Sequence, residues 1–298
     1  MQKIVVIGTG GTGTMLLPQM CRYLNSIAEH APYGKCITIA LIDGDTVEKK
    51  NLDRQVFIED DIGANKALVF AGALAENFSR LRFEGYDRYI DTVEDLRDIA
   101  GNISYDEPIF LCCVDNNEAR KVITETFKTY ENAYLIDGGN DFLDGQTVYA
   151  IREKGVTTSP AIDFYYPNQF KKKGKRRSAM SCSELNSAKP QHIAVNSLSA
   201  WNMFMGVVRI FEKNPIRGIS VFDASKLSVI HEEPEKYGFS VDKEVTEYLK
   251  KCSKEKKEGF ARTGTFLKYL LNDPDAKDEA EKYLNAMSKK KKKKGGAA

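Results

Sequence analysis

The hydrophobic pattern of the chain changes period several times, and each change marks an element. Residues 4–7 form a β-branched run that ends in Gly8-Thr9-Gly10-Gly11-Thr12-Gly13. Met15, Leu16, Met20, Tyr23, Leu24 and Ile27 then recur at the three-to-four spacing of one helix face. Pro32 and Gly34 break that pattern, and residues 37–42 form a second buried run that ends on Asp43. Strand, glycine turn, helix, strand is the opening of a dinucleotide-type fold.

Further along, the pattern predicts a helix over 65–75, a strand over 84–90 and a buried strand over 109–114. A helix over 116–130 and strands over 134–137 and 145–152 follow. After Pro190 a helical pattern carries Ile193, Leu198, Trp201, Phe204 and Met205, and strands are predicted near 218–222 and 227–231. Alternation of strands and helices, then neighbouring strands, predicts an α/β protein: a Rossmann-like three-layer fold with a mixed, mainly parallel central sheet. The expected organisation is one large domain over residues 1–240 with a basic crossover loop at 168–181. A charged helical extension over 241–287 and a disordered lysine-rich tail over 288–298 complete it.

Charged residues make up 29% of the 298 positions, and no apolar run approaches the roughly 18–20 residues that cross a bilayer. The first residues lack the layout of a signal peptide, so a cytoplasmic protein without membrane contact is expected. The formal charge of +2 is a property of the tail: without the six lysines Lys289–Lys294 it becomes −4. Residues 171–177, Lys-Lys-Lys-Gly-Lys-Arg-Arg, have no hydrophobic period and no interleaved aromatics. They read as a solvated loop, and no specific nucleic-acid partner is expected. None of the six cysteines forms a Cys-x-x-Cys pair, which argues against structural zinc, and Cys112 and Cys113 read as small buried side chains. His30, His192 and His231 are too scattered to suggest ligands.

Gly8, Gly10 and Gly13 fit G-x-G-x-x-G, a turn whose missing side chains let a phosphate reach backbone N–H groups at a helix start. That turn suits NAD, FAD and ATP alike. Asp43 closes the second strand, where such folds hold a ribose hydroxyl, although Asp-Gly is also a common turn. The next segment breaks the tie. Asp45, Asn51, Arg54 and Gln55 follow that strand, Lys66 lies near the start of the next helix, and Asp115 ends the run over 109–114. Hydride transfer needs no arginine gripping phosphates there, whereas nucleotidyl transfer moves charge among phosphate oxygens. One carboxylate at a strand end suits Mg²⁺, which keeps several of its waters.

These residues resemble the motifs of the ThiF/MoeB/HesA and ubiquitin-activating superfamily. Gly8-x-Gly10-Gly11-x-Gly13 is similar to its glycine motif, and Asp43-x-Asp45 with Asn51-Leu52-x-Arg54-Gln55 to its D-x-D…N-L-x-R-Q signature. Asp137-Gly138-Gly139 with Gly145-Gln146 looks like its next strand and turn, and the likeness spans about residues 3–210. The resemblance implies Mg²⁺-ATP as co-substrate and a carboxylate acceptor, the Gly-Gly end of a ubiquitin-like or sulfur-carrier protein, activated by a homodimer. It implies that Asp43 holds the ribose, that Asn51, Arg54 and Lys66 steady the phosphates, that Gln55 supports their loop, and that Asp115 positions Mg²⁺. Cys182 lies where relatives place a cysteine that accepts the activated carboxyl, and it reads either as that nucleophile or as a structural thiol. The chain departs from the family in lacking Cys-x-x-Cys pairs and in its longer stretch between Gly13 and Asp43. For an arginine that some relatives supply from ahead of the first strand, Arg176 or Arg177 is a candidate substitute. These departures suggest a divergent bacterial branch similar to the ThiF proteins of PRTRC systems. Adenylation of a small molecule or a tRNA base, and a catalytically silent nucleotide-binding module, remain as other readings. Nicotinamide-dependent oxidoreduction is disfavoured by Arg54, Lys66 and Asp115.

Overall fold

Successive side chains of a strand face opposite sides of its sheet, and in this chain both sides are apolar. In β1 (Gln2–Ile7), Ile4 and Val6 enter one buried cluster while Val5 and Ile7 enter another. In β2 (Ile37–Ile42), Ile37, Ile39 and Leu41 divide from Ala40 and Ile42 in the same way. So do Ile109 and Leu111 from Phe110 and Cys112 in β4 (Ile109–Cys112). A sheet buried on both faces needs helices on both. The first face is covered by α1 (Gly11–Glu29), α2 (Lys66–Asn77) and α6 (Ile193–Phe211), through residues such as Leu17, Phe70 and Met203. The second is covered by α3 (Val93–Ala100) and α4 (Asn117–Thr129), through Leu96, Ile123 and Phe127.

The computed structural model describes residues 2–29, 37–101, 107–168, 170 and 192–251. With β3 (Arg82–Tyr86), β5 (Ala133–Asn140), β6 (Asp144–Glu153), β8 (Gly218–Asp223) and β9 (Ser228–Glu232), the described strands run in the order β3-β2-β1-β4-β5-β6-β8-β9. β7 (Val156–Ser159) is paired to β6. From β3 to β5 all neighbours are parallel, and from β5 onward all are antiparallel. This is the predicted Rossmann-like three-layer α/β fold with a mixed sheet and a parallel core.

Register corrects several predicted ends. The strand expected over 84–90 runs Arg82–Tyr86, because its partner β2 ends at Ile42, opposite Tyr86. The strand expected to reach 114 ends at Cys112, where pairing with Asp137 of β5 stops. β5 extends past its expected end to Asn140, since β6 continues the ladder to Gly145. α3 was not legible in the periodicity, yet Thr92 and Asp95 form a reciprocal capping box at its start. The short helix α5 (Ile162–Tyr165) was also missed.

The chain divides into two units, Met1–Gly238 and Phe239–Ala298. Of the second, α7 (Val241–Lys251) is described, with acidic Asp242 and Glu244 in its first turn, where negative charge suits the helix dipole. The expected extension beyond residue 251 and the tail lie outside the described residues, as do the basic run 171–177 and Cys182. Among the described residues no helix is long and apolar enough to cross a membrane.

Candidate active site

Parallel register brings the ends of three strands into one row with the middle of β5. Ile7 of β1 pairs with Ile42 on one side and Cys112 on the other, and Cys112 pairs with Asp137. The next residues, Asp43, Gly8, Cys113 and Gly138, therefore sit side by side at the carboxyl edge, where open α/β sheets bind ligands.

The glycine turn between β1 and α1 is closed on most sides by backbone. Gly8 has φ +94°, and a β-carbon there would lie 2.7 Å from Cys113 O. A β-carbon at Gly13 would lie 2.2 Å from Gly8 O, so the turn can cross itself only if Gly13 is bare. Gly11 packs on Asn196, the first buried polar side chain of α6. Gly10 differs: the nearest atom to an added β-carbon is Gln55 Nε2 at 3.9 Å. Its carbonyl accepts the first helical bond of α1 from Thr14 N at 3.0 Å, so Gly10 borders the helix N-terminus with only a side-chain tip in contact and no backbone closing on it. That opening, beside orphan N–H groups and the positive end of a helix dipole, suits a phosphate.

On the β2 side, Asp43 ties the turn to the following loop. Its Oδ2 accepts from Thr9 N at 2.7 Å and from Thr9 Oγ1 at 3.1 Å, and its Oδ1 accepts from Asp45 N at 2.9 Å. Burial, then repulsion from Asp45, raises the Asp43 carboxyl above its usual range, while Lys66 and the bonds from Asp45 and Thr9 pull it back. Asp45 in turn accepts from Tyr89 Oη at 2.6 Å and pairs with Lys66 Nζ at 3.4 Å. Lys66 is buried at the first position of α2, where a cation opposes the helix dipole; Asp45 offsets that cost.

Asn65 holds this arrangement together. Its Oδ1 caps α2 by accepting from Leu68 N at 3.0 Å. Its Nδ2 donates to Asp43 O at 2.8 Å, Asp45 O at 3.1 Å and Asp87 Oδ1 at 2.7 Å. An Asn directly before an apolar helical run is a readable N-cap signal; its bonds to Asp43 and Asp45 are not. Tyr89, whose ring covers Gly44, left no signal at all: a β-carbon on Gly44 would lie 2.7 Å from that ring.

The loop that carries the N-L-x-R-Q element is shaped by its own amides. Asn51 is buried; its Oδ1 accepts from Glu48 N at 2.9 Å, and its carbonyl accepts from Arg54 N at 3.1 Å and Gln55 N at 2.8 Å. Arg54 is half-buried, and Gln55 is buried with its Oε1 lacking a hydrogen-bond partner while its Nε2 faces Gly10. Asn51 thus forms the loop, and Gln55 joins it to the glycine turn.

On the β4 side, Asp115 is exposed just beyond the strand end, and Asn116 caps α4 by accepting from Ala119 N at 2.8 Å. Among the described residues no three acidic, histidine or cysteine side chains cluster as a metal cage. Asp115 is a single exposed carboxylate at the carboxyl edge of the sheet, the donor set that Mg²⁺ accepts when phosphates and water supply the rest. Burial pushes the Cys112 thiol up to about 12 and Cys113 well above its usual range, so neither is a thiolate near neutral pH.

Comparison with known proteins places the chain in a family. Residues 1–212 match the profile of the ThiF family. The ubiquitin-like modifier-activating enzyme 5 of Dictyostelium discoideum is 28% identical over 143 residues, covering 46% of this chain and 35% of the relative. That of Drosophila persimilis is 30% identical over 129 residues, covering 41% and 31%. The chain thus spans about a third of the length of these curated relatives. Among solved structures, E. coli MccB with AMPCPP and MccA superposes with TM-score 0.54 at 20% identity, over 78% of this chain and 63% of that one. PaaA gives 0.52 at 19%, over 78% and 64%. At such identities the structural likeness speaks for the fold.

Proposed function

The chain belongs to the ThiF family, and on that premise we propose that it is an ATP-dependent adenylyltransferase. Its acceptor in this reading is the C-terminal carboxylate of a ubiquitin-like or sulfur-carrier protein ending in Gly-Gly. A carboxylate oxygen bonds to the α-phosphorus of ATP, the bond to the β-phosphate oxygen breaks, and acyl-adenylate and pyrophosphate result. The observation that carries the reading is the convergence of an open glycine turn, the Asp43–Asp45–Lys66 network and Asp115 on one sheet edge.

Each side chain has a task that its surroundings support. Gly10 and the first amides of α1 receive phosphate oxygens. Asp43, already braced by Thr9, faces the ribose; Arg54 and Lys66 meet the charge that develops on the departing pyrophosphate. Asn51 and Gln55 hold the loop that presents Arg54. Lys66 must exchange its pairing with Asp45 for phosphate, which couples nucleotide arrival to the β2–α2 junction. Asp115 would hold Mg²⁺, which screens the phosphate oxygens when bound. The similarity to ubiquitin-like modifier-activating enzymes supports a protein carboxylate as acceptor. In this reading residues 1–240 are the adenylation domain, 241–287 a charged helical appendage and 288–298 a tail, and the protein works as a cytoplasmic homodimer.

Thermal-shift titration with Mg-ATP, ATP plus EDTA, NAD and NADPH tests the nucleotide, and ATP–pyrophosphate exchange with an added Gly-Gly-ended carrier protein tests the chemistry. Stabilisation by Mg-ATP that weakens with EDTA and in Asp115→Ala is expected. Exchange that requires the carrier protein is expected with it. Stabilisation by NAD or NADPH alone would overturn the proposal, and ATP binding without exchange would leave a silent nucleotide-binding module.

A further inference from the structure

Behind Asp115 lies a buried ion pair to which neither motif nor family likeness assigned a role. Arg120 of α4 and Asp137 of β5 are both more than nine-tenths buried, at 7% and 1% exposure. Arg120 Nε lies 2.9 Å from Asp137 Oδ1, an ion pair rather than an aligned hydrogen bond. The Nη2 of the same guanidinium donates to Val114 O at 2.9 Å and to Gly138 O at 3.2 Å. One side chain therefore ties the end of β4, the end of β5 and the first turns of α4, and the carbonyl it holds belongs to the residue before Asp115.

A buried ion pair is weak evidence of stabilisation, because desolvation of both charges offsets their attraction. Its placement is more informative. Arg120 is the buried cation nearest in sequence to Asp115, and the two carboxylates, Asp115 and Asp137, both act on its charge. Without Asp137, that cation would turn to Asp115 and compete with any metal there. We propose that Asp137 is a positioning residue: it holds the Arg120 guanidinium against the β4 and β5 ends, so that Asp115 serves the metal of Mg-ATP. This rests on the nucleotide reading above.

The test is a Mg²⁺ titration of the ATP-dependent thermal shift, read as the half-saturating Mg²⁺ concentration, with folding checked by circular dichroism. Asp137→Asn leaves an unpaired guanidinium and should raise that concentration about 10-fold, the scale of losses when a metal ligand's support is removed. Arg120→Met/Asp137→Asn removes the competing charge and should return it to within about 2-fold of wild type, a recovery that mere structural damage would not give. If Asp137→Asn does not fold, Arg120→Lys carries the test: its ammonium cannot make the guanidinium's three contacts together, and the Mg²⁺ requirement should again rise. An unchanged requirement in the single variants, or no recovery in the double variant, overturns the proposal. A wild type whose ATP response ignores Mg²⁺ overturns the metal reading itself, and this inference with it.

Discussion

One methyl group, added at either of two glycines in the same turn, should separate folding from binding. At Gly13 a β-carbon would stand 2.2 Å from Gly8 O, an obstacle that is backbone and cannot rotate away. Overpacking typically costs about 1–3 kcal/mol, and with no yielding neighbour Gly13→Ala should lose about 3 kcal/mol. At Gly10 the nearest atom would be 3.9 Å away, and the backbone there is not left-handed. Alanine would restrict the unfolded chain, a gain of about 0.4–1 kcal/mol, and would be a poorer helix N-cap by a similar amount. Gly10→Ala should therefore unfold within about 0.5 kcal/mol of wild type. Its β-carbon nonetheless fills the opening through which a phosphate reaches the start of α1. Wild type with Mg-ATP at about 100 times its Kd should gain about 2.7 kcal/mol. That corresponds to a rise in Tm of about 4–5 °C for a chain of this size; Gly10→Ala should gain almost none. Urea unfolding measures the first effect and differential scanning fluorimetry with Mg-ATP the second. A Gly10→Ala protein with the full ATP shift would refute the placement of phosphate against Gly10, and a fully stable Gly13→Ala protein would refute the steric reasoning.

Two further outcomes follow from other parts of the structure. Asn65→Ala removes the cap of α2 and the bond to the Asp43 carbonyl, while the Asp45 carbonyl keeps its bond from Lys66 N; urea unfolding should register a loss of about 2 kcal/mol, and Mg-ATP affinity should fall with it. Burial pushes the Tyr149 phenol from 10.0 up to about 12. Its stabilising contribution is therefore complete below pH 10 and declines as pH rises toward 12, where the unfolded phenol has ionised and the folded one has not. Over that window the loss should be about 2–3 kcal/mol. Tyr149→Phe, which gives up the bond to Asn202 O at about 1 kcal/mol near pH 8, should flatten that decline in unfolding measured between pH 9 and 12.

The row of chemistry at the sheet edge was readable because Gly8, Asp43 and Asp115 each follow an apolar run, and strand ends are where parallel sheets place their ligands. Asn65 could have been read as a cap from its neighbours alone. Tyr89 over Gly44, and Arg120 against Asp137, could not, because those partners meet only when β3 joins β2 and β5 joins β4.

By itself the sequence determined what depends on neighbours a few residues apart. That includes the buried strands, the period of the helices, the glycines of the turn and the acids that end the strands. Only the tertiary structure decided where β3 and β4 stop: β3 ends with β2 at Ile42, and β4 ends with β1 at Ile7. It also decided that Gly8 and Gly13 close the turn while Gly10 leaves it open, and that Asp43 braces Thr9, because such distances depend on elements that meet across the sheet.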